Sequence, residues 1–105
     1  MLVSLHCVDT EDDLGVYEAV LVVDGQTVYG HKGAKCPKIR AGDTVNLNRQ
    51  VTVTPGQSSI TLLDYDFPDA TDHLGTQVVP SGYGRHTLVF QGDNYSYTLD
   101  VILRP

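Results

Sequence analysis

Four aspartates follow an apolar stretch in the middle of the chain. Asp64 and Asp66 stand two positions apart at the end of a strand-like segment, so their side chains leave the same side of the chain. Pro68 then ends the strand, because proline has no amide hydrogen to offer a sheet ladder. We therefore expect the loop to fold back and bring Asp72 towards the first two aspartates, with Asp69 lying between them in sequence.

Carboxylates that converge in this way point to a metal site. Two unit charges about 4 Å apart repel by roughly 4 kcal/mol at an effective dielectric constant near 20. Ca²⁺ offsets such repulsion well, because it takes about 6 to 8 oxygen ligands in flexible geometry. The pattern is not that of an EF-hand, because Asp69 occupies the position where that loop requires glycine. The alternative interpretation is a solvated acidic turn.

The spacing of these aspartates resembles the third calcium loop of C2 domains. That loop typically has two aspartates flanking an aromatic residue, five further residues, a third aspartate, and soon afterwards a Leu-Gly or Ile-Gly pair. The resemblance implies that Asp64, Asp66 and Asp72 are calcium ligands. The matching positions in this chain are Asp64, Tyr65, Asp66, Asp72, Leu74 and Gly75.

A second acidic stretch occupies residues 9–18, between two strand-like segments. Residues 9–18 and 64–72 together hold nine of the thirteen acidic residues in nineteen positions. The earlier stretch resembles the first calcium loop of C2 domains more loosely, since Glu18 stands where that family has aspartate. The resemblance implies that Asp9, either Asp12 or Asp13, and Glu18 complete the ligand set.

Alternation of apolar and polar residues predicts strands throughout the chain. The last segment is the clearest, with Tyr97, Leu99 and Val101 on one face and Thr98 on the other. Short strands recur about every ten residues, and no helical period of useful length is present. The pattern predicts an all-β fold, an antiparallel β-sandwich of about eight strands. The resemblance implies a C2-like arrangement with both calcium loops at one end.

Turn residues divide this pattern into elements. Asp24 and Gly25 predict a type I′ hairpin turn between the second and third strands. Residues 30–42 are rich in glycine and are interpreted as a long connection. Residues 43–48 and 50–54 both alternate, which predicts two further strands or one bent strand.

Length and charge bound the class of protein. The 105 residues predict one domain spanning residues 1–105, and the formal net charge of −6 argues against nucleic acid as a partner. No apolar run of about 18 residues is present, so no transmembrane segment is expected. The chain as given carries no signal peptide, which fits a cytoplasmic protein or part of a larger or processed secreted one.

Four of the seven basic residues lie within nine positions, in the segment interpreted as a connection. Such a cluster predicts contact with an anionic head group, an acidic polymer or a partner protein. The alternative is a solvated loop that keeps a sheet edge from pairing. The four residues are Lys32, Lys35, Lys38 and Arg40.

No catalytic constellation accompanies these features. The four histidines are far apart in sequence and have neither zinc-ligand spacing nor a cysteine partner, so they are interpreted as isolated surface residues. A hydrolase using paired carboxylates is a second hypothesis, but a small sandwich without tryptophan offers little wall for a substrate cleft. The sequence therefore predicts a non-enzyme. The four histidines are His6, His31, His73 and His86.

The functional prediction is a calcium-binding module that recruits a membrane, glycan or protein partner when calcium is bound. The alternative is a structural domain of a larger assembly, in which calcium only stabilises the loops. Calcium-dependent affinity for a partner distinguishes the two hypotheses.

Overall fold

A computed structural model of the chain describes residues 1–9, 16–30, 38–40, 42, 44–64, 72–92 and 95–105. Residues 2, 7–9, 16–18, 38–40 and 72 are described by their backbone alone. Within these ranges the chain forms nine strands and no helix. The strands are β1 (Leu2–Asp9), β2 (Val16–Val23), β3 (Gln26–Tyr29), β4 (Lys38–Arg40), β5 (Thr44–Arg49), β6 (Ser59–Asp64), β7 (Asp72–Val78), β8 (Gly84–Gln91) and β9 (Ser96–Leu103).

The strands form two antiparallel sheets that pack face to face. One sheet has four strands in the order β5-β1-β9-β8. The other has the order β3-β2-β6-β7, and the short β4 also pairs with β2. The predicted all-β sandwich is therefore confirmed, and its long dimension is 41 Å.

The inner faces of the two sheets supply one apolar core. The alternation predicted for β9 is confirmed, because alternate residues of this strand are almost completely buried while those between them are half-buried. Full burial of a large apolar side chain such as leucine or valine stabilises the fold by about 1.5 to 3 kcal/mol. The four buried residues of β9 are Tyr97, Leu99, Val101 and Leu103, and the largest core residues from the other strands are Leu5, Leu21, Ile60, Leu62 and Phe90.

The predicted turn at Asp24 and Gly25 is also confirmed. Both residues have positive φ angles, 49° and 83°, as a type I′ turn requires. The turn joins β2 to β3, and the Asp24 amide donates to the Ser59 carbonyl at 3.0 Å, which connects the turn to the start of β6.

Two segments differ from the sequence prediction. The connection expected over residues 30–42 contains β4, whose three residues pair with the first three residues of β2. Residues 50–54 alternate in burial as predicted but form no strand. The reason is the register of β1, which begins with Leu2 opposite Arg49 and so offers no partner to the residues beyond Arg49.

Candidate functional site at the acidic end

The register of the β6–β7 hairpin brings two predicted ligand positions together. Asp64 is the last residue of β6, Asp72 is the first residue of β7, and the two are directly opposite in the antiparallel pair. Residues opposite one another in such a pair have Cβ atoms about 4.5 to 5.5 Å apart. Two acidic residues are therefore cross-strand neighbours where β6 ends and β7 begins.

The neighbouring strand places a third acidic residue at the same end. Ala19 of β2 lies opposite Asp64, and Glu18 precedes it in the chain. Glu18 is itself opposite Lys38 of β4. One predicted metal ligand and one member of the basic cluster are thus direct cross-strand neighbours in the backbone register.

The four-stranded sheet ends at the same place. Asp9, the last residue of β1, is opposite Ser96 at the start of β9. The residue before Ser96 is Tyr95, and its hydroxyl donates a hydrogen bond to the carbonyl oxygen of Leu74, two residues beyond Asp72. This bond links the two sheets, so the strand ends at Asp9 and Asp72 belong to one end of the sandwich. We call it the acidic end: the end at which β1 and β6 finish and β2 and β7 begin.

The Tyr95 link depends on a glycine in the β8–β9 connection. A Cβ atom on Gly92 would lie 2.4 Å from Cε1 of the Tyr95 ring, closer than real contacts allow. The Gly92 amide also donates to the Tyr95 carbonyl at 3.1 Å. A side chain at position 92 would therefore clash with the Tyr95 ring in the position from which its hydroxyl reaches β7.

The predicted ligands are described to different extents. The side chain of Asp64 is half-buried at the end of β6. Asp9, Glu18 and Asp72 have described backbone positions, whereas Asp12, Asp13 and Asp66 lie outside the described residues. Among the side chains that the structure describes, no group of three histidine, cysteine, aspartate or glutamate residues is arranged to hold a metal ion. The seven ligand assignments remain predictions.

The basic cluster is divided in the same way. Lys38 and Arg40 are the first and last residues of β4 and lie opposite Glu18 and Val16 respectively. Lys32 and Lys35 lie outside the described residues. Half of the predicted partner-binding cluster is therefore positioned beside the acidic end, through the backbone of β4.

The three described histidines lie on separate strands. Nδ1 of His6 is 2.7 Å from the Thr44 hydroxyl, and Nε2 of His73 is 2.9 Å from the Thr76 hydroxyl. Nε2 of His86 donates to the Gly82 carbonyl at 2.8 Å. Each ring has a local polar partner, and His31 lies outside the described residues.

The opposite end of the sandwich holds a carboxylate in a different setting. The Asp24 side chain accepts hydrogen bonds from the Ser58 hydroxyl and from the Ser59 amide, the latter at 3.0 Å, and these bonds lower the pKa of Asp24. The Ser58 hydroxyl also accepts from the Thr54 amide at 2.7 Å. These bonds join the β2–β3 turn to the turn before β6.

A cleft of about 420 Å³, which was not predicted from the sequence, opens at that opposite end. Residues 50–53 line one side of it, and residues 102–105 line the other. The signal in the sequence was the strand-like alternation of residues 50–54, which pair with no strand in the part of the chain that the structure describes.

Within the described ranges, no helix is long and apolar enough to cross a membrane. The fold defines the class as an antiparallel β-sandwich. Comparisons with protein-family models, with curated proteins and with solved structures found no match for this chain.

Proposed function

We propose that the chain is a calcium-binding β-sandwich module that holds Ca²⁺ between its two acidic loops. The observation that carries this proposal is the register that sets Asp64 opposite Asp72. Like charges directly opposite in an antiparallel pair destabilise it. A cation that binds both carboxylates offsets this repulsion.

The strand ends support a site shared by both loops. Residues 10–15 connect Asp9 to Val16, and residues 65–71 connect Asp64 to Asp72, so both acidic loops are attached to the acidic end. Carboxylate and carbonyl oxygens are the ligands that Ca²⁺ prefers. The proposed ligands are Asp9, Asp12 or Asp13, Glu18, Asp64, Asp66 and Asp72, joined by backbone carbonyls.

We further propose that calcium makes this end a docking site for an anionic lipid surface, a glycan or a protein. Bound calcium offsets part of the negative charge of the acidic loops and supplies a cation that an anionic group can coordinate. The basic positions Lys38 and Arg40 of β4 lie opposite Glu18 and Val16. An anionic partner is then attracted by the metal and by these residues together. No chemical step is part of this role, so the proposed protein is a binding module and not an enzyme.

A calorimetric calcium titration of the chelator-treated protein tests the proposal. The variants Asp66→Asn and Asp72→Asn are expected to abolish or greatly weaken binding, since each removes a predicted ligand charge. Asp69→Asn is expected to matter less because it lies outside the matched spacing. The matched control is Asp100→Asn, because Asp100 lies in the middle of β9, where it accepts a hydrogen bond from Thr87.

The outcomes separate the hypotheses. No calcium heat in the wild-type protein contradicts the proposal. If Asp69→Asn abolishes binding and Asp72→Asn does not, the C2-like spacing is the wrong guide to the ligands. Calcium binding without calcium-dependent retention on anionic vesicles, glycans or candidate proteins supports the structural-domain alternative.

A further inference from the structure

The β6–β7 hairpin contains one extra residue close to the acidic end. Leu62 of β6 is opposite Gly75 of β7. The next residue of β6, Leu63, is opposite His73, so no residue of β6 lies directly opposite Leu74. Leu74 is therefore the extra residue of a β-bulge, a feature that often re-aims side chains beside functional sites.

The bulge decides which residue of β7 is opposite Asp64. If the regular pairing continued beyond Gly75, Asp64 would be opposite His73. Because the bulge adds one residue to β7, Asp72 takes that place instead. The two acidic residues are therefore cross-strand neighbours only in the bulged register.

Both the side chain and the backbone of the bulge residue have partners outside the hairpin. The Leu74 side chain is buried in the apolar core. Its carbonyl oxygen accepts the hydrogen bond from the Tyr95 hydroxyl. Side chains alternate along a regular strand and that of Thr76 is exposed, so regular pairing would turn Leu74 out of the core. The core and Tyr95 therefore both favour the bulged register.

The charges within the hairpin favour the other register when no cation is bound. Like charges directly opposite in an antiparallel pair destabilise it. Regular pairing would place His73 opposite Asp64 and would remove Asp72 from that position. Contacts from outside the hairpin are therefore needed to stabilise the bulged register, and Tyr95 supplies one from the other sheet.

The position of the Tyr95 ring explains the glycine at position 92. A Cβ atom on Gly92 would lie 2.7 Å from Cζ of Tyr95 and 2.9 Å from its hydroxyl oxygen. The φ angle of Gly92 is not positive, so its backbone conformation is one that other residues adopt. The ring, and not the backbone conformation, therefore requires glycine at this position.

We propose that Tyr95 is a positioning residue for the calcium site, because its hydroxyl stabilises the bulge at Leu74. The bulge in turn sets the register in which Asp72 is opposite Asp64. This inference rests on the proposed calcium function, and Tyr95 is not itself a proposed ligand. Calcium and Tyr95 favour the same register, so bound calcium offsets part of the loss when the hydroxyl is removed.

Nuclear Overhauser contacts between backbone protons measure the register in chelator. Contacts between Leu63 and His73 report the bulged register, and contacts between Leu63 and Leu74 report regular pairing. Tyr95→Phe is expected to weaken the first set and to broaden the amide signals of β7, because a second register becomes populated. Ile60→Val is the matched stability control, since it removes a buried methyl group at the opposite end of β6 at a cost similar to one hydrogen bond.

A calorimetric calcium titration measures the consequence for the site. Tyr95→Phe is expected to weaken calcium binding about fivefold, which corresponds to the loss of one hydrogen bond. Ile60→Val and Tyr83→Phe are expected to bind like the wild type, because Tyr83 is exposed in the β7–β8 connection. Added calcium is expected to restore the contacts between Leu63 and His73 in Tyr95→Phe.

A glycine variant tests the same contact without removing the hydroxyl. Gly92→Ala displaces the Tyr95 ring and is expected to weaken calcium binding to a similar extent. The double variant Gly92→Ala/Tyr95→Phe is expected to lose no more affinity than either single variant, because both remove one interaction. Gly82→Ala is the matched control, since a Cβ atom there meets nothing within 4 Å.

Three results would overturn the proposal. The first is a wild-type register and wild-type calcium affinity in Tyr95→Phe. The second is an equal change of register in Ile60→Val, which would assign the effect to lost stability alone. The third is a changed register without any change in calcium affinity. A wild-type protein that binds no calcium contradicts the proposed function instead, while the contacts in chelator still decide whether Tyr95 sets the register.

Discussion

The two ends of the sandwich place acidic residues in different surroundings. At the end with the cleft, Asp24 is exposed but accepts hydrogen bonds from Ser58 and Ser59, so its negative charge is stabilised by the protein itself. At the acidic end, the register places Asp64 opposite Asp72. One end supplies hydrogen-bond donors to Asp24, and the other end places two acidic residues opposite one another in the backbone register.

This difference separates a structural acidic residue from a candidate ligand. A carboxylate that accepts amide and hydroxyl hydrogen bonds adds stability to the apo protein. Acidic residues opposite one another in a strand pair lower the stability of the apo protein by charge repulsion. A bound cation offsets this repulsion and restores the stability. The comparison can be tested by removing charge at each end and by adding calcium.

The largest expected effect is stabilisation of the acidic end by calcium. If the loops bind Ca²⁺ only in the folded state, free calcium at 100 times its Kd adds about 2.7 kcal/mol to the free energy of unfolding. For a domain of this size, the melting temperature then rises on the order of 10 °C. Scanning calorimetry in calcium and in chelator measures this shift. Identical melting curves would contradict the calcium hypothesis.

The next effect is coupling between the two acidic loops. Asp9 ends β1 and Asp66 follows Asp64, the last residue of β6, and both strands finish at the acidic end. We therefore expect the substitutions of Asp9 and Asp66 by asparagine to be non-additive in calcium-binding free energy. Residues that share a partner couple by about 0.5 to 3 kcal/mol. Calcium titrations of Asp9→Asn, Asp66→Asn and the double variant measure the coupling. Costs that add within a few tenths of a kcal/mol would show that the loops hold no common ion.

Local sequence patterns predicted the parts of the fold that depend on only a few neighbouring residues. The alternation in β9 predicted its buried face, and the pair Asp24 and Gly25 predicted the turn, because the side-chain period and positive φ angles are properties of a few neighbouring residues. Residues 50–54 alternate equally well, yet form no ladder, since pairing depends on where a distant strand begins. β4 was missed because its three residues are too few to show a period.

The same distinction applies to the candidate site. The spacing of Asp64 and Asp66 predicts that their side chains leave the same side of the chain, but the register that sets Asp72 opposite Asp64 is decided by how β6 and β7 pair. The link from Tyr95 to Leu74 joins residues 21 positions apart in sequence and on different sheets. Nothing in the residues around Tyr95 identifies that acceptor, so no local pattern predicts the bond between β7 and the residue before β9.

A smaller effect is expected from the bond that joins the sheets at the acidic end. Tyr95→Phe removes the hydroxyl that donates to the Leu74 carbonyl and is expected to lower the free energy of unfolding by about 0.5 to 1.5 kcal/mol. Tyr83→Phe is the matched control, because Tyr83 is 62% exposed in the β7–β8 connection. Urea unfolding of both variants in chelator measures the difference. Equal stabilities of the two variants would show that this bond does not hold the end together.

The smallest expected effect concerns the carboxylate at the opposite end. The substitution Asp24→Asn keeps a residue that accepts positive φ in a type I′ turn and retains a side-chain oxygen acceptor, so it changes mainly the charge. Hydrogen bonds from Ser58 and Ser59 hold the folded-state pKa of Asp24 below its ordinary value. The stability that the charge contributes is therefore complete above the unfolded-state pKa and disappears as the pH falls through the lower folded-state pKa.

Urea midpoints of the wild type and of Asp24→Asn at pH 7, 4.5 and 2.5, all in chelator, measure this dependence. We expect the wild type to be the more stable protein at pH 7 and the difference to shrink as the pH falls towards 2.5 and the carboxyl group takes up its proton. A difference that stays constant across this range would mean that the Asp24 charge is not stabilised by its donors. The two ends of the sandwich would then differ only in the strand register, which sets Asp64 opposite Asp72 at the acidic end.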